Sequence, residues 1–240
     1  MLDLKSVFEN LNLDITENES IKFNTYYNLL IEQNKVMNLT AITDWNDVVI
    51  KHFADSVSIS EAVPEFKAAA NKKVNLIDIG TGAGFPGIPL KIMFPSLSVT
   101  LLDSLQKRVN FLDKTTEALS LNDITSVHMR AEEGGRNPLF RDKYDFAVSR
   151  AVADLAVLAE YCLPFVKTGG YFIAYKSGTI EEEVIRAKHS ASVLGGHIER
   201  VYHFELPDSD IQRSFVVIKK VKPTPKAFPR KAGTAKKAPL

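Results

Sequence analysis

The chain has 240 residues, 45% apolar and 25% charged, with a formal net charge of +1 and a single cysteine, Cys162. This suits a soluble globular protein with one α/β domain and an extension, or with two small domains. No apolar run of about 18 residues marks a membrane span, no basic segment leading into an apolar core marks a secretory leader, and one cysteine excludes an internal disulfide. A cytoplasmic protein is expected, with Cys162 as a core filler among Leu158, Tyr161, Leu163 and Phe165. The five histidines have no zinc-like spacing, so no metal is expected.

The near-zero net charge hides an asymmetry. From Ile211 to Leu240 there are nine basic residues and no acid, which leaves the preceding residues at −8 against +9 for the tail. A basic tail on an acidic body points to a polyanionic partner.

In chain order, residues 1–62 read as helical. Ile21, Tyr26, Leu29, Leu30 and Val36 mark an apolar stripe, and Thr16 followed by Glu19 has the form of a capping box. The segment Asn38-Leu39-Thr40 breaks the pattern, and a second helix from Asp44 or Asn46 runs to a stop before Pro64, with Lys51, His52, Asp55 and Ser56 on or beside its polar side. Residues 1–70 thus form a helical cap, 71–222 the main domain and 223–240 a basic, proline-containing tail.

From Val74 strands and helices alternate, as in a Rossmann-like, doubly wound α/β sheet. Strands are expected near 74–79, 98–103, 124–129, 144–149, 171–175, 198–206 and 215–221, the last two forming an antiparallel hairpin. Helices are expected from Ile88 to Pro95, 105–119, around 155–163 and 179–194; Arg130 to Pro138 reads as a loop, and Gly169-Gly170 as a turn into the fifth strand. Prolines 223, 225, 229 and 239 make the tail extended and mobile unless a partner or the body holds it.

The chemistry concentrates at strand ends. The first strand runs into Gly80-Thr81-Gly82-Ala83-Gly84-Phe85, a turn whose backbone can approach a ligand closely. Open α/β sheets bind ligands beyond the carboxyl ends of their strands, and those ends also carry Asp103, suited to ribose hydroxyls, Ala131-Glu132, suited to bordering a base, and Arg150. A dinucleotide fingerprint would need glycine at 85, where the chain has phenylalanine. The form D-x-G-x-G-x-G over 78–84 instead fits S-adenosylmethionine-dependent methyltransferases. An NAD-dependent dehydrogenase and a non-enzymatic RNA-binding module are the alternatives.

Several segments together resemble the RsmG family, also called glucose-inhibited division protein B: Met37 to Ile42, Lys51 to Ser56, Gly82 to Pro89, Arg130-Ala131-Glu132, Ser149 to Ala153, and Pro229 to Thr234. The match covers nearly the whole chain, departing only mildly at Glu133-Gly134-Gly135 and at Ala232. The resemblance implies a class I methyltransferase sheet of seven strands with an N-terminal helical extension. It also implies methyl transfer from S-adenosyl-L-methionine to N7 of a specific guanine in bacterial 16S ribosomal RNA, near the decoding site of the small subunit.

By the same resemblance Gly80, Gly82, Gly84, Phe85, Asp103, Ala131, Glu132 and Arg150 would contact the cofactor. Asn38, Lys51, His52, Arg150, Arg230 and Lys231 would lie on the RNA side. A monomer is expected, with 16S ribosomal RNA or the small ribosomal subunit as partner and no membrane. Guanine N7 attacks through an in-plane lone pair and loses no proton, so no general base is expected, and Arg150 is the best candidate for a catalytic role. Replacing Arg150 with alanine is expected to lower turnover sharply with modest loss of stability. Deleting Pro223–Leu240 is expected to weaken RNA binding and leave cofactor affinity near normal.

Overall fold

A computed structural model describes residues 2–150 and 153–240. The N-terminal region folds as α1 (Leu4–Glu9), capped by the Asp3 carboxylate, and α2 (Glu17–Met37), which begins at the expected Thr16–Glu19 capping box. The face that α2 buries keeps Tyr26 and Leu30 of the expected stripe and drops its two ends. Phe23, Tyr26 and Leu30 are buried, whereas Ile21 and Val36 are 57% and 75% exposed. Phe23 lies roughly 200° around the helix from Ile21. Aromatic packing chooses the face: Phe23 meets Phe8 and Phe53, and Tyr26 stacks between Phe53 and Phe85.

The second helical segment is broken where one helix was expected. Asp44 caps α3 (Trp45–Val48), which passes into a π-helical turn, Val49–Ala54, and then α4 (Asp55–Val57), α5 (Ile59–Ala62) and α6 (Pro64–Lys67). A π turn winds wider than an α turn and so re-aims the side chains after it. Asp55 and Ser56, expected toward the polar side, are buried at 2% and 0% exposure, and His52 is part-buried with them.

The sheet holds β1 (Asn75–Ile79), β2 (Ser98–Asp103), β3 (Ile124–His128), β4 (Tyr144–Ser149), β5 (Val166–Ser177), β6 (Gly196–Glu205) and β7 (Gln212–Lys220). The spatial order is β3-β2-β1-β4-β5-β7-β6, with β7 antiparallel to both neighbours and the other pairings parallel. The order reverses between β1 and β4, the position at which open α/β sheets open a crevice. Strand β5 starts five residues earlier than expected, because Gly169 and Gly170 lie inside it. Gly169 has φ +92°, the β4–β5 register shifts there, and a Cβ on Gly170 would meet the Asp145 carbonyl at 2.5 Å. The pair is a bulge within the strand, not a turn before it.

Helices α7 (Gly87–Met93), α8 (Gln106–Ala118), α9 (Ala131–Gly134), α10 (Leu155–Cys162), α11 (Glu181–Val193) and α12 (Thr234–Lys237) complete the chain. Helix α9 stands where a loop was expected, and α12 gives the tail a helical turn between Pro229 and Pro239. Cys162 is fully buried.

One apolar cluster joins Phe8, Phe23 and Tyr26 of the cap to Leu76, Ile88 and Leu101 of the sheet layer. The cap therefore buttresses the glycine turn: the buried Tyr26 hydroxyl donates to the Ala83 carbonyl at 2.6 Å. Replacing Tyr26 with phenylalanine leaves that carbonyl unsatisfied and should cost about 1–3 kcal/mol. The loss is read as a lower midpoint in urea unfolding at unchanged slope.

Candidate functional site

The glycine turn is closed from beneath by Asp78 of β1. Its Oδ2 accepts from the Thr81 hydroxyl at 2.6 Å and from the Gly87 N–H at 2.8 Å, tying the strand end to the start of α7. The carboxyl is fully buried, and that burial raises its pKa to about 6. Gly84 has φ +104°, and a Cβ there would lie 2.7 Å from the Tyr26 hydroxyl and 2.5 Å from the tip of Ile88. Gly84 is therefore needed for close packing on the cap. Gly82 differs: at φ +62° a Cβ would meet nothing within 4 Å, so its backbone faces open space.

Two cavities open beyond the strand ends. The first, about 400 Å³, is lined by Gly80, Asp103, Arg108, Ala131, Glu132, Ser149, Tyr161, Gly233 and Lys236, among others, and falls in the usual size range of small-ligand sites. Asp103 ends β2 at its floor, 2% exposed. Its Oδ2 accepts from Gly82 N–H at 3.0 Å and from Arg108 at 3.4 Å, and its Oδ1 accepts from Leu105 N–H at 2.9 Å. Glu132 presents Oε1 to the Gly233 N–H at 2.9 Å.

The second cavity is a larger groove of about 810 Å³, lined in part by Lys51, His52, Asp55, Arg150, Asp154, Lys176, Glu183, Arg186 and Arg213. Ala153 lines both cavities, so they adjoin. The expected cofactor set is thus divided. Gly80, Asp103, Ala131 and Glu132 come together at the smaller cavity, and Gly82 faces open space beside Asp103. Gly84 and Phe85 pack into the wall against Tyr26, and Arg150 lies on the groove side. Of the Ser149 to Ala153 motif, Ala151 and Val152 fall outside the described residues.

Arg150 is set in a buried cluster whose members lie far apart in sequence. Its Nη1 donates to Asp55 Oδ2 at 2.9 Å and to the Lys51 carbonyl at 3.2 Å, and its guanidinium lies 4.9 Å from the centre of the Phe85 ring. Arg213 holds the other Asp55 oxygen through Nε at 3.1 Å. Two other nearby acids in the sequence are engaged elsewhere, Asp145 with Lys167 and Glu132 with the tail. Removing Arg150 leaves a buried carboxylate with one partner in place of two, which costs several kcal/mol when such a pair is broken. The expected modest loss for Arg150→Ala is therefore corrected upward, and Arg150→Lys is the better probe.

His52 stacks on Phe85 with ring centroids 4.5 Å apart. Its Nδ1 lies 3.2 Å from Arg150 Nη2 and its Nε2 lies 2.8 Å from Thr40 Oγ1. Nδ1 also lies 3.1 Å from the Lys51 carbonyl, so both ring nitrogens are engaged in either neutral tautomer. Burial, and then the positive charge of Arg150, lower the His52 pKa to about 3.

The remaining RNA-side candidates are scattered. Lys51 is half-paired with Asp47 at 2.8 Å on the groove rim, and Asn38 is the left-handed cap of α2 at φ +48°. Arg230 is withdrawn from solvent by Glu160, whereas Lys231 is exposed. Asp55, Arg213, Tyr26, Tyr161 and Lys236 were not singled out from sequence. Asp55 alone has a local signal, its place in the Lys51–Ser56 segment; the others act through a partner more than 50 positions away or through the fold of the cavity.

A sheet of this order, with a glycine turn after β1 and an acid ending β2, defines the class I methyltransferase fold. Two solved structures share it. A Catenulisporales acidiphilia 16S rRNA (adenine(1408)-N(1))-methyltransferase variant has a TM-score of 0.53 at 15% identity, covering 67% of this chain and 91% of that one. M. jannaschii TYW2 in complex with AdoMet has a TM-score of 0.51 at 16% identity, covering 67% and 76%.

Within that class, residues 19–215 match the family model described as rRNA small subunit methyltransferase G. A relative of that name from Acetivibrio thermocellus is 53% identical, over 96% of this chain and 91% of its own; one from Staphylococcus aureus is 48% identical, over 95% and 93%. The chain belongs to the rRNA small subunit methyltransferase G family.

The state of His52 has a direct check. With a folded pKa near 3 against an ordinary value of about 6.5, His52 favours folding fully above pH 6.5, and that contribution is lost as pH falls toward 3. Asp78, raised to about 6, works in the opposite sense: its contribution is present below about pH 4 and lost as pH rises through 6. Because the two offset in bulk stability, the measurement is site-specific. Imidazole NMR should show no His52 titration between about pH 5 and 8; a midpoint near 6.5 contradicts the buried, neutral assignment.

Proposed function

We propose that the chain transfers the methyl group of S-adenosyl-L-methionine to N7 of a guanine in small-subunit ribosomal RNA, with the smaller cavity for the cofactor and the groove for the base. The observation that carries this reading is the absence of a usable general base in the groove among the described residues. Its one imidazole is neutral and engaged at both nitrogens. Its carboxylates are each ion-paired: Asp55 with Arg150 and Arg213, Glu183 with Lys176, and Asp154 with Arg186. A site without a base suits a nucleophile that already holds a free lone pair, as guanine N7 does.

The residues of the smaller cavity fit the cofactor. Asp103 Oδ1 accepts one hydrogen bond from the protein, which leaves it capacity for a ribose hydroxyl. Gly80 lines the cavity without a side chain, and Ala131 and Glu132 border it too. S-adenosylmethionine supplies, when bound, an electrophilic methyl group on a sulfonium. The chain's own part is alignment, which contributes about 7–11 kcal/mol in favourable cases.

Arg150 would act at the target base. Nη1 and one Nη2 hydrogen are committed to the Asp55–His52 cluster, so Nε–H and the second Nη2 hydrogen can donate to guanine O6 or to a phosphate. Five cations, Lys51, Arg150, Lys176, Arg186 and Arg213, face three carboxylates in the groove, a balance that favours a phosphate backbone. Since a folded stem buries N7 in a deep, narrow groove, the target belongs in a loop or an open end.

The experiment uses tritiated S-adenosylmethionine and small subunits from a strain lacking this activity. Label should enter 16S RNA, and borohydride followed by aniline should cut the chain at one guanine, the signature of N7 methylation. Label elsewhere, or none, overturns the reading. In the same assay Arg150→Lys keeps the charge that holds Asp55 but loses the planar fork, so kcat should fall about 10- to 100-fold with S-adenosylhomocysteine affinity near normal.

A further inference from the structure

The basic tail is not a free arm. Arg141 donates to the carbonyls of Phe228 at 2.9 Å and Thr224 at 2.6 Å, and Arg136 donates to the Pro229 carbonyl at 2.7 Å. Glu160 of α10, 1% exposed, accepts from the Arg230 backbone N–H at 2.7 Å and binds its guanidinium through both carboxylate oxygens, the shortest contact being 2.6 Å. Beyond this latch the chain turns at Gly233, φ +81°, buries Ala235, and ends with the Leu240 carbonyl accepting from Ser190 at 2.8 Å. Between those anchors Gly233 and Lys236 line the smaller cavity, and the Gly233 N–H is held by Glu132.

We infer that residues 229–240 form a latched strap that is one wall of the cofactor site, so that cofactor binding and closure of the strap are coupled. The inference deepens the proposed function and rests on it. Glu132 is the coupling element: a single carboxylate borders the cavity and anchors the strap, so a ligand seated against Glu132 and Ala131 is enclosed only while Gly233 stays docked. The latch is a buried carboxylate with a bidentate guanidinium partner, an arrangement that holds strongly while intact and costs heavily if one partner is lost. It gives the tail a role beside RNA contact. Arg230 is spent on Glu160, while Lys226, Lys231 and Lys237 remain exposed for phosphates. Deleting 223–240 would open the cavity, and cofactor affinity would not stay near normal.

The test uses the full chain and S-adenosylhomocysteine, the demethylated cofactor, with two variants. E160Q loosens the latch, and K236A shortens an exposed lining side chain without touching the core. Trypsin cleavage after Lys231 is followed by mass spectrometry with and without the ligand, and affinity is measured by calorimetry. Saturating ligand should slow cleavage of the unaltered chain about tenfold, and E160Q or K236A should bind roughly tenfold more weakly. Unchanged cleavage, or both variants binding as tightly as the unaltered chain, overturns the strap while the proposed function stands. Failure of the unaltered chain to bind S-adenosylhomocysteine at all overturns the proposed function and the strap with it.

Discussion

The rest of the site depends on one buried carboxylate. Asp78 sits at the end of β1 and ties Thr81 and Gly87 to a single oxygen, which bends the chain out of the sheet and into α7 within nine residues. An unpaired carboxylate in that position would be costly, and its donors are the very groups that shape the turn. Gly82 is thereby held facing the open side, where its N–H reaches Asp103. That bond joins the turn after β1 to the end of β2, where Asp103 lines the smaller cavity.

Against the outer side of the same turn stands the cap. Tyr26 grips the Ala83 carbonyl, and Phe85 continues the contact outward to His52 and Arg150. A short path of packed aromatic rings and one ion-paired carboxylate therefore links the glycine turn to the groove. The two cavities adjoin at Ala153. A rigid wall matters here because, without proton transfer, positioning is the main contribution left for the protein to make.

Charge is distributed accordingly. The cations of the groove each meet a carboxylate, and five cations to three lining carboxylates leave a net positive balance. The tail divides its charges: Arg230 is used inward to dock the strap, while the exposed lysines face outward. Of this segment, Gly233 and Lys236 line the smaller cavity.

The seven strands, the closing hairpin, the capping box at Thr16, the glycine turn and the acid ending β2 were legible in the sequence, because each is encoded by a few neighbouring residues through periodicity, turn chemistry or spacing. The family was legible for the same reason, since its motifs are short and ordered. The face of α2 was not: Phe23 and Ile21 are both apolar, and only the aromatic neighbours brought by Phe8, Phe53 and Phe85 decide which is buried. Nor could local pattern reveal the π turn that carries His52 and Asp55 inward, or the bulge that absorbs Gly169-Gly170 into β5. The partners of Arg150, Arg230 and Glu132 lie 95, 70 and 101 positions away. Sequence by itself determined which groups stand at the strand ends, because strand and turn are local; which of them face the smaller cavity, the groove or one another was decided by tertiary packing, because a buried charge takes whatever partner the fold brings within reach.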